Sequence, residues 1–178
     1  MQGAVVVDGQ AVADRIANAH EALGLTIGAD DAYLALRGLR TLPVRLAQHQ
    51  RNATEVAQWL QRQPQVARTF YPALPEDPGH ALWRRDFTGA SGLVSFALLG
   101  TDHAAAGRLV NAFRLFSIGA SWGGYESLAL VAPAERLNAS RTWQEHGNNA
   151  PVIRLHVGLE DPRDLIADLQ QAFQHTIA

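Results

Sequence analysis

The first third of the chain has apolar residues mainly at helical spacing. Residues 10–25 repeat them every three or four positions, which predicts a first helix, and the short apolar run Gly3–Val7 suggests a strand before it. A second, short helix is expected from Asp30 to Leu36, with Arg37 and Gly38 breaking it. Thr41 is the expected N-cap of a long helix that ends before Pro64.

From Val66 onward, short apolar strands alternate with helices. The expected strands are residues 66–71, 92–99, 115–118, 127–131 and 152–158, and the expected helices are 80–85, 102–113, 133–140 and a last one that begins after Asp161. In this last helix Leu165, Leu169 and Phe173 form one buried stripe. The pattern predicts an α+β fold: a mostly antiparallel sheet covered by helices on one face in residues 64–178, preceded by a helical connecting segment in residues 1–63.

The last strand, Val152–Gly158, carries a cation in its middle. Side chains alternate faces along a strand, so Ile153, Leu155 and Val157 share one face, and Arg154 and His156 share the other with Val152. An arginine there needs water or an anion, and its planar guanidinium suits a carboxylate. A solvated sheet face explains the same pattern and is favoured from this strand alone, with His156 as an ordinary solvated residue.

Composition excludes several classes of function. The formal net charge of -2 gives no electrostatic case for binding nucleic acid or an anionic membrane, and no apolar run is long enough to span one. The chain has no cysteine, hence no thiol nucleophile and no disulfide, and the default expectation is a cytoplasmic protein. All 15 basic residues are arginines, so Schiff-base chemistry on a lysine of this chain is also excluded. The seven histidines lack metal-ligand spacing, and no metal site is expected.

The segment 119–123 reads G-x-S-x-G, the nucleophile elbow of the α/β hydrolases. That motif needs a helix beginning at Ser121, whereas the following residues predict a turn entering a strand, and Asp168 with His175 is the best available acid–base pair. A serine hydrolase is therefore the weaker hypothesis. The other hypothesis is a carboxylate-binding corner made by Arg154 and the glycine-rich turn with Ser121 and Trp122. An ordinary β-turn with its tryptophan packed in the core is the simplest alternative.

Several joined motifs resemble the cystathionine β-lyases, a group of the pyridoxal-phosphate-dependent enzymes of cysteine and methionine metabolism. They are SWGGYES (121–127), VIRLHVGLED (152–161), DLIADL (164–169), RGLRTL (37–42), YPALP (71–75) and RDFTGASGL (85–93). The resemblance covers essentially the whole chain. Trp122 fits the bacterial β-lyases, whereas relatives that act at the γ carbon usually have leucine. Ala120 departs from the tyrosine of the enteric β-lyases.

The resemblance implies the C-terminal domain of a fold-type I pyridoxal-phosphate enzyme. Arg154 matches the arginine that holds the substrate's α-carboxylate, and Ser121 and Trp122 match the turn beside it, with Ser121 also a candidate contact to the cofactor. The implied cofactor is pyridoxal phosphate, and the implied reaction cleaves cystathionine to homocysteine, pyruvate and ammonia in methionine biosynthesis and transsulfuration. The complete enzymes are homo-oligomers, namely tetramers with active sites shared between subunits.

The family's cofactor lysine and its phosphate-binding residues would all lie upstream of Met1. The resemblance therefore predicts a C-terminal fragment that needs an N-terminal cofactor domain, binds no pyridoxal phosphate covalently and has no lyase activity alone. No catalytic residue is assigned within the chain. A stand-alone binding or interaction module, using an apolar face that the absent domain would cover, is the other class of function that stays open.

Overall fold

The computed structural model describes residues 5–133 and 150–176. The helices are α1 Gln10–Ala22, α2 Ala29–Arg40, α3 Leu42–Gln61, α4 His80–Asp86, α5 His103–Asn111 and α6 Pro162–Thr176. The strands are β1 Val66–Phe70, β2 Leu93–Leu98, β3 Ser117–Ile118, β4 Leu128–Val131 and β5 Val152–His156. In the described part of the chain, no helix is long and apolar enough to cross a membrane.

The chain divides into two compact units, Met1–Pro43 and Val44–Ala178. The first unit contains α1 and α2, and neither helix buries a side chain. The second unit contains the sheet, α3 from Val44 onward, and α4 to α6. The boundary at residue 63 between a connecting segment and an α+β domain stays a prediction.

The five strands form one sheet in the order β1-β2-β5-β4-β3. Every pair is antiparallel except β3–β4, which is parallel. The predicted α+β class with a mostly antiparallel sheet is confirmed. Strand β5 lies in the middle of the sheet, so its backbone bonds to β2 on one side and β4 on the other.

One face of the sheet carries the core. Phe96 on β2 is paired with Ile153 on β5, and its ring centroid lies 6.1 Å from that of Phe173 on α6. Trp59 on α3 reaches the same Phe173 ring at 5.8 Å, so α3 and α6 pack over this face. The predicted stripe of α6 is confirmed, because Leu165, Leu169 and Phe173 are buried.

Asp168 on α6 fastens the segment that follows α5. Its buried carboxylate accepts the backbone N–H of Arg114 at 2.8 Å, of Leu115 at 2.8 Å and of Phe116 at 3.3 Å. A carboxylate is a stronger acceptor than a backbone carbonyl, which suits it to three adjacent donors. The contact aligns the chain as it enters β3 and the turn that follows.

Two local predictions were wrong. Helix α2 continues through Arg37 and Gly38 to Arg40, since a glycine weakens a helix without stopping it; the helix ends where the Thr41 N–H bonds back to the Gly38 and Leu39 carbonyls. Residues 5–7 of the expected strand Gly3–Val7 are not in a strand. A strand needs a hydrogen-bonding partner, and the five paired strands all lie within residues 66–156. The expected helix 133–140 lies almost entirely outside the described residues.

Candidate functional site

Strand β5 presents Arg154 on the sheet face opposite the core. Its cross-strand neighbours are Ser95 on β2 and Leu130 on β4, and all three residues are partly exposed. On the other face of the same strand Ile153 and Leu155 are fully buried. The alternation predicted for this strand is therefore confirmed at these three positions, and it places a cation on a partly open surface.

The guanidinium of Arg154 contacts the turn between β3 and β4. Its Nη2 donates to the Ala120 carbonyl at 2.8 Å, and its Cζ lies 5.2 Å from the ring centroid of Trp122. Its Nε–H is buried and meets no acceptor among the described residues. A buried donor without an acceptor is costly, most of all on a charged group, so the Nε–H of Arg154 can take one further acceptor.

The turn itself spans Gly119 to Tyr125. Gly123 has φ +86°, a conformation that only glycine adopts without strain, and Gly119 lies so close to the Leu128 side chain that a β carbon there would come within 3.1 Å. Ser121 and Trp122 are both exposed, the tryptophan by 59%. A tryptophan packed in the core, the alternative drawn from sequence, is not what the structure has.

His156 holds this turn against the sheet. Its Nε2 lies 3.2 Å from the Gly123 nitrogen and 3.1 Å from the Gly124 oxygen, and Arg45 on α3 also reaches the Gly123 oxygen at 3.4 Å. The expectation that His156 is solvated was wrong, because only 3% of the residue is exposed. The turn folds over the end of β5 and covers the ring. Burial lowers the pKa of His156, since it penalises the charged form.

A second anchor lies just beyond the turn. Glu160 accepts from Ser127 twice, from the backbone N–H at 2.8 Å and from the hydroxyl at 2.8 Å, and the hydroxyl in turn accepts the Gly158 N–H at 2.8 Å. Asn52 on α3 donates to the carbonyls of Gly158 at 3.0 Å and Glu160 at 2.9 Å. The turn is thus fixed on both sides to the end of β5 and to α3.

The serine hydrolase hypothesis lacks its structural context. After Ser121 the chain enters strand β4, with no helix between them. Asp168 is bound to the backbone N–H groups of residues 114–116, and His175 bonds to the Gln171 carbonyl within α6. Ser121 is not among the hydrogen-bond partners of either residue in the described part of the chain. In residues 5–133 and 150–176, no group of three metal-ligating side chains is placed to hold a metal ion.

Sequence reasoning did not identify three residues that fix the turn, namely His49, Asn52 and Glu160. A signal was present for two of them: His49 and Asn52 share the helical stripe of Ala53 and Leu60, and both polar residues are buried. A buried polar residue in an apolar stripe needs a partner, so it predicts a contact. Glu160 lies in a polar loop and gives no such signal.

Several known proteins are similar to this chain in sequence. A family model described as Cys/Met metabolism PLP-dependent enzyme matches residues 1–174. A cystathionine β-lyase of Bordetella avium is 53% identical over 97% of the chain and 43% of its own length. The cystathionine β-lyase MetC of Escherichia coli is 49% identical over 87% of the chain and 40% of its own length. Similar proteins also include an L-alanine/L-glutamate racemase of Wolbachia and a cystathionine γ-lyase of Bos taurus.

A solved structure shares the fold. It is a putative O-acetylhomoserine (thiol)-lyase of Campylobacter jejuni, with TM-score 0.73 and 37% identity over 85% of this chain and 35% of that one. That structure carries an N'-pyridoxyl-lysine-5'-monophosphate at its own position 205. The predicted fold, the C-terminal domain of a pyridoxal-phosphate enzyme, is confirmed. The chain spans about 43% of the length of the Bordetella relative.

The side chains of this chain do not fit covalent attachment of pyridoxal phosphate. Attachment needs a lysine amine, and the sequence contains arginine alone among its basic residues. A guanidinium stays protonated and does not replace that amine as a nucleophile. What the residues offer is one unused donor, the buried Nε–H of Arg154, which has no acceptor among the described residues.

Proposed function

This chain belongs to the pyridoxal-phosphate-dependent enzymes of cysteine and methionine metabolism, and we propose that it is the substrate-carboxylate part of a cystathionine β-lyase. The complete enzyme would cleave cystathionine to homocysteine, pyruvate and ammonia. We place this reaction in methionine biosynthesis by transsulfuration, in the cytoplasm, and in a homo-oligomer. Within this chain Arg154 is the residue that would hold the α-carboxylate of the amino-acid substrate.

The observation that supports this role is the unsatisfied guanidinium of Arg154. One of its nitrogens, Nη2, is bound to the Ala120 carbonyl, while the buried Nε–H has no described acceptor. A carboxylate would supply the missing acceptor and neutralise the charge, and it is the group whose two oxygens match two parallel N–H donors. The substrate would thereby be oriented by its Cα carboxylate.

Trp122 and Ser121 would complete the corner. The indole ring lies over the guanidinium and keeps water from one side of it, which strengthens a charge pair at that place. Ser121 is exposed on the same turn and offers one hydroxyl as a donor or acceptor. We assign it to the substrate or to the cofactor.

Pyridoxal phosphate supplies the electron sink of this reaction when it is bound. No lysine within these 178 residues can hold it, so the amine would come from outside them, from an N-terminal cofactor domain. We therefore predict that this chain alone neither retains the cofactor nor cleaves cystathionine. Its contribution would be to bind and orient the substrate.

The choice of β-elimination rests on the relatives. The Bordetella and Escherichia proteins are both named as β-lyases, at 53% and 49% identity, whereas the racemase and the bovine γ-lyase are 41% and 40% identical. A γ-elimination or a racemisation also starts from an amino acid with an α-carboxylate, so Arg154 does not distinguish these reactions. The products therefore have to decide between these reactions.

The test is a chimera in which this chain replaces the matching 43% of the Bordetella enzyme. We expect the chimera to retain pyridoxal phosphate through dialysis and to release pyruvate and homocysteine from cystathionine. Arg154→Ala should raise KM sharply, whereas Arg108→Ala, at an exposed position on α5, should not.

Three results would contradict the proposal. One is 2-oxobutyrate and cysteine as the main products, which would indicate γ-elimination. Another is conversion of L-alanine to D-alanine without pyruvate from cystathionine. The third is an inactive chimera that nevertheless retains its cofactor. This chain alone, incubated with pyridoxal phosphate and dialysed, should show no band of a lysine-bound cofactor.

A further inference from the structure

Two buried imidazoles lie in contact where α3 meets the end of β5. His49 is 2% exposed and His156 is 3% exposed, and their ring centroids are 5.1 Å apart at an interplanar angle of 46°. Each ring has one nitrogen with a protein partner and one nitrogen without. The nitrogens that are buried without a partner in the described part of the chain are Nε2 of His49 and Nδ1 of His156.

The partner of His49 fixes where its proton lies. Its Nδ1 is 2.8 Å from the Val157 carbonyl oxygen, which can only accept, so Nδ1 carries the hydrogen. When the ring is neutral, its Nε2 is therefore a lone pair. His49 thus has a buried acceptor nitrogen that meets no donor in the described part of the chain.

Nε2 of His156 has two neighbours that make opposite demands. The Gly123 N–H, at 3.2 Å, needs an acceptor, and the Gly124 carbonyl, at 3.1 Å, needs a donor. One ring nitrogen satisfies one of them at a time. If Nε2 donated in the neutral ring, the Gly123 N–H would have no acceptor on the ring; if Nε2 accepted, the ring hydrogen would lie on Nδ1, which has no partner among the described residues. Only the neutral form that accepts from Gly123 changes its bonds to the turn when Nε2 is protonated.

We propose that His156 is a positioning residue for the turn 119–125, and that its protonation exchanges the hydrogen bond from Gly123 N–H for one to the Gly124 carbonyl. A proton added to the neutral ring goes to Nε2, which then no longer accepts. The Gly123 peptide is released and the Gly124 peptide is drawn in. Trp122 precedes Gly123 directly, so its ring moves relative to Arg154.

The neutral ring is the form that the fold favours. Burial lowers the pKa of His156 most, and the charge of His49 lowers it further, whereas the Gly124 carbonyl and the carboxylates of Glu126 and Glu160 raise it. The ionisable groups around the ring and the turn come from four places: His49 and Arg45 from α3, Glu126 from the segment just after the turn, Glu160 from the loop after β5, and Arg154 from β5.

Gly92 on the neighbouring chain segment makes room for the ring. A β carbon at Gly92 would come within 3.2 Å of the His156 ring and would overlap the Val157 carbonyl oxygen. The imidazole is thus enclosed by the Gly92 backbone, the His49 ring and the turn. Such an enclosure couples the protonation state of the ring to the position of the turn, whose Gly123 and Gly124 peptides contact Nε2.

The test follows Trp122 by ¹⁹F NMR in protein labelled with 5-fluorotryptophan, its resonance assigned through Trp122→Phe. We expect this resonance to shift with pH, with the same midpoint as the Cε1–H signal of His156 and below the 6.5 of an unperturbed histidine. His156→Gln should abolish the shift, since its amide does not titrate. His103→Gln, at an exposed site on α5, should leave it unchanged.

A Trp122 resonance that stays constant while His156 titrates would overturn the proposal, and this result needs no variant to fold. So would a shift that survives in His156→Gln. An effect of the turn on substrate binding rests on the proposed function and is measured separately. The measurement is the affinity for L-alanine at pH values above and below the midpoint of the His156 titration. A titrating turn in a protein that binds no carboxylate would count against the proposed function alone and would support the exchange of hydrogen bonds.

Discussion

Arg154 and Trp122, which are 32 positions apart in sequence, are stacked in the structure with the guanidinium carbon 5.2 Å from the indole centroid. Trp122 is 59% exposed, so its ring contacts the guanidinium and still has a large surface open to solvent. This arrangement suits a corner that shields a charge and still admits a ligand. It is also the part of the site that a substitution can change without disturbing the core.

Trp122→Leu should therefore uncover the guanidinium. Without the ring, water reaches the buried Nε–H of Arg154, and the stacking, worth about 0.5–1 kcal/mol at an exposed site, is lost. We expect the Nε–H to exchange faster with solvent and carboxylate affinity to fall a few-fold. Hydrogen exchange measured by NMR checks this. Tyr125→Leu, at a 74% exposed aromatic of the same turn, should do neither.

Asp168→Asn should destabilise the fold. The carboxylate accepts three backbone N–H groups in a buried site, and an amide has one oxygen and brings two donors of its own. We expect a loss of about 1–3 kcal/mol in the free energy of unfolding, measured by urea denaturation. Glu55→Gln, at an exposed carboxylate on α3, is the control and should stay close to the parent. An equal effect of both variants would count against the role given to Asp168.

Two glycine-to-alanine changes should have opposite signs. At Gly158 a β carbon would overlap the Tyr125 carbonyl oxygen and approach the Glu126 backbone carbon at 2.7 Å, and backbone atoms cannot easily yield. Overpacking of this kind costs about 1–3 kcal/mol. At Gly107, inside α5, a β carbon meets nothing within 4 Å.

Gly107→Ala should accordingly gain about 0.5–1 kcal/mol from helix propensity. The unfolding temperatures of both variants test this difference in sign. A Gly158→Ala protein as stable as the parent would show that Gly158 is packed less tightly against the backbone of Tyr125 and Glu126 than the structure has it.

The lowered pKa of His156 also predicts how stability depends on pH. The unfolded chain takes up a proton near pH 6.5 and the folded ring only at lower pH, so unfolding is favoured as the pH falls from about 6.5 to the folded pKa. Stability should therefore rise with pH in this window and level off above it. In His156→Gln this contribution should disappear from urea unfolding curves taken at several pH values, whereas in His103→Gln it should remain.

The sequence predicted what local periodicity controls. The buried residues Ile153 and Leu155 follow from alternation along one strand, and the stripe of α6 follows from helical spacing. The burial of His156 could not be predicted this way, because it depends on a turn more than 30 residues away that folds over the strand end. Leu46 shows the same limit: it continues an apolar stripe of α3 yet is 42% exposed, while His49 one turn later is buried against His156.

The central claim is that Arg154 binds a carboxylate, and the most direct measurement is the ¹⁵N–¹H spectrum of its Nε–H during titration. The signal is assigned through Arg154→Lys, and the probes are L-alanine and L-alaninamide, which share an amine and differ in the carboxylate. We predict that L-alanine shifts the Arg154 signal, that alaninamide does not, and that the Arg108 signal stays fixed with both. An Arg154 signal that does not shift with L-alanine, or that shifts equally with alaninamide, would contradict carboxylate binding by Arg154.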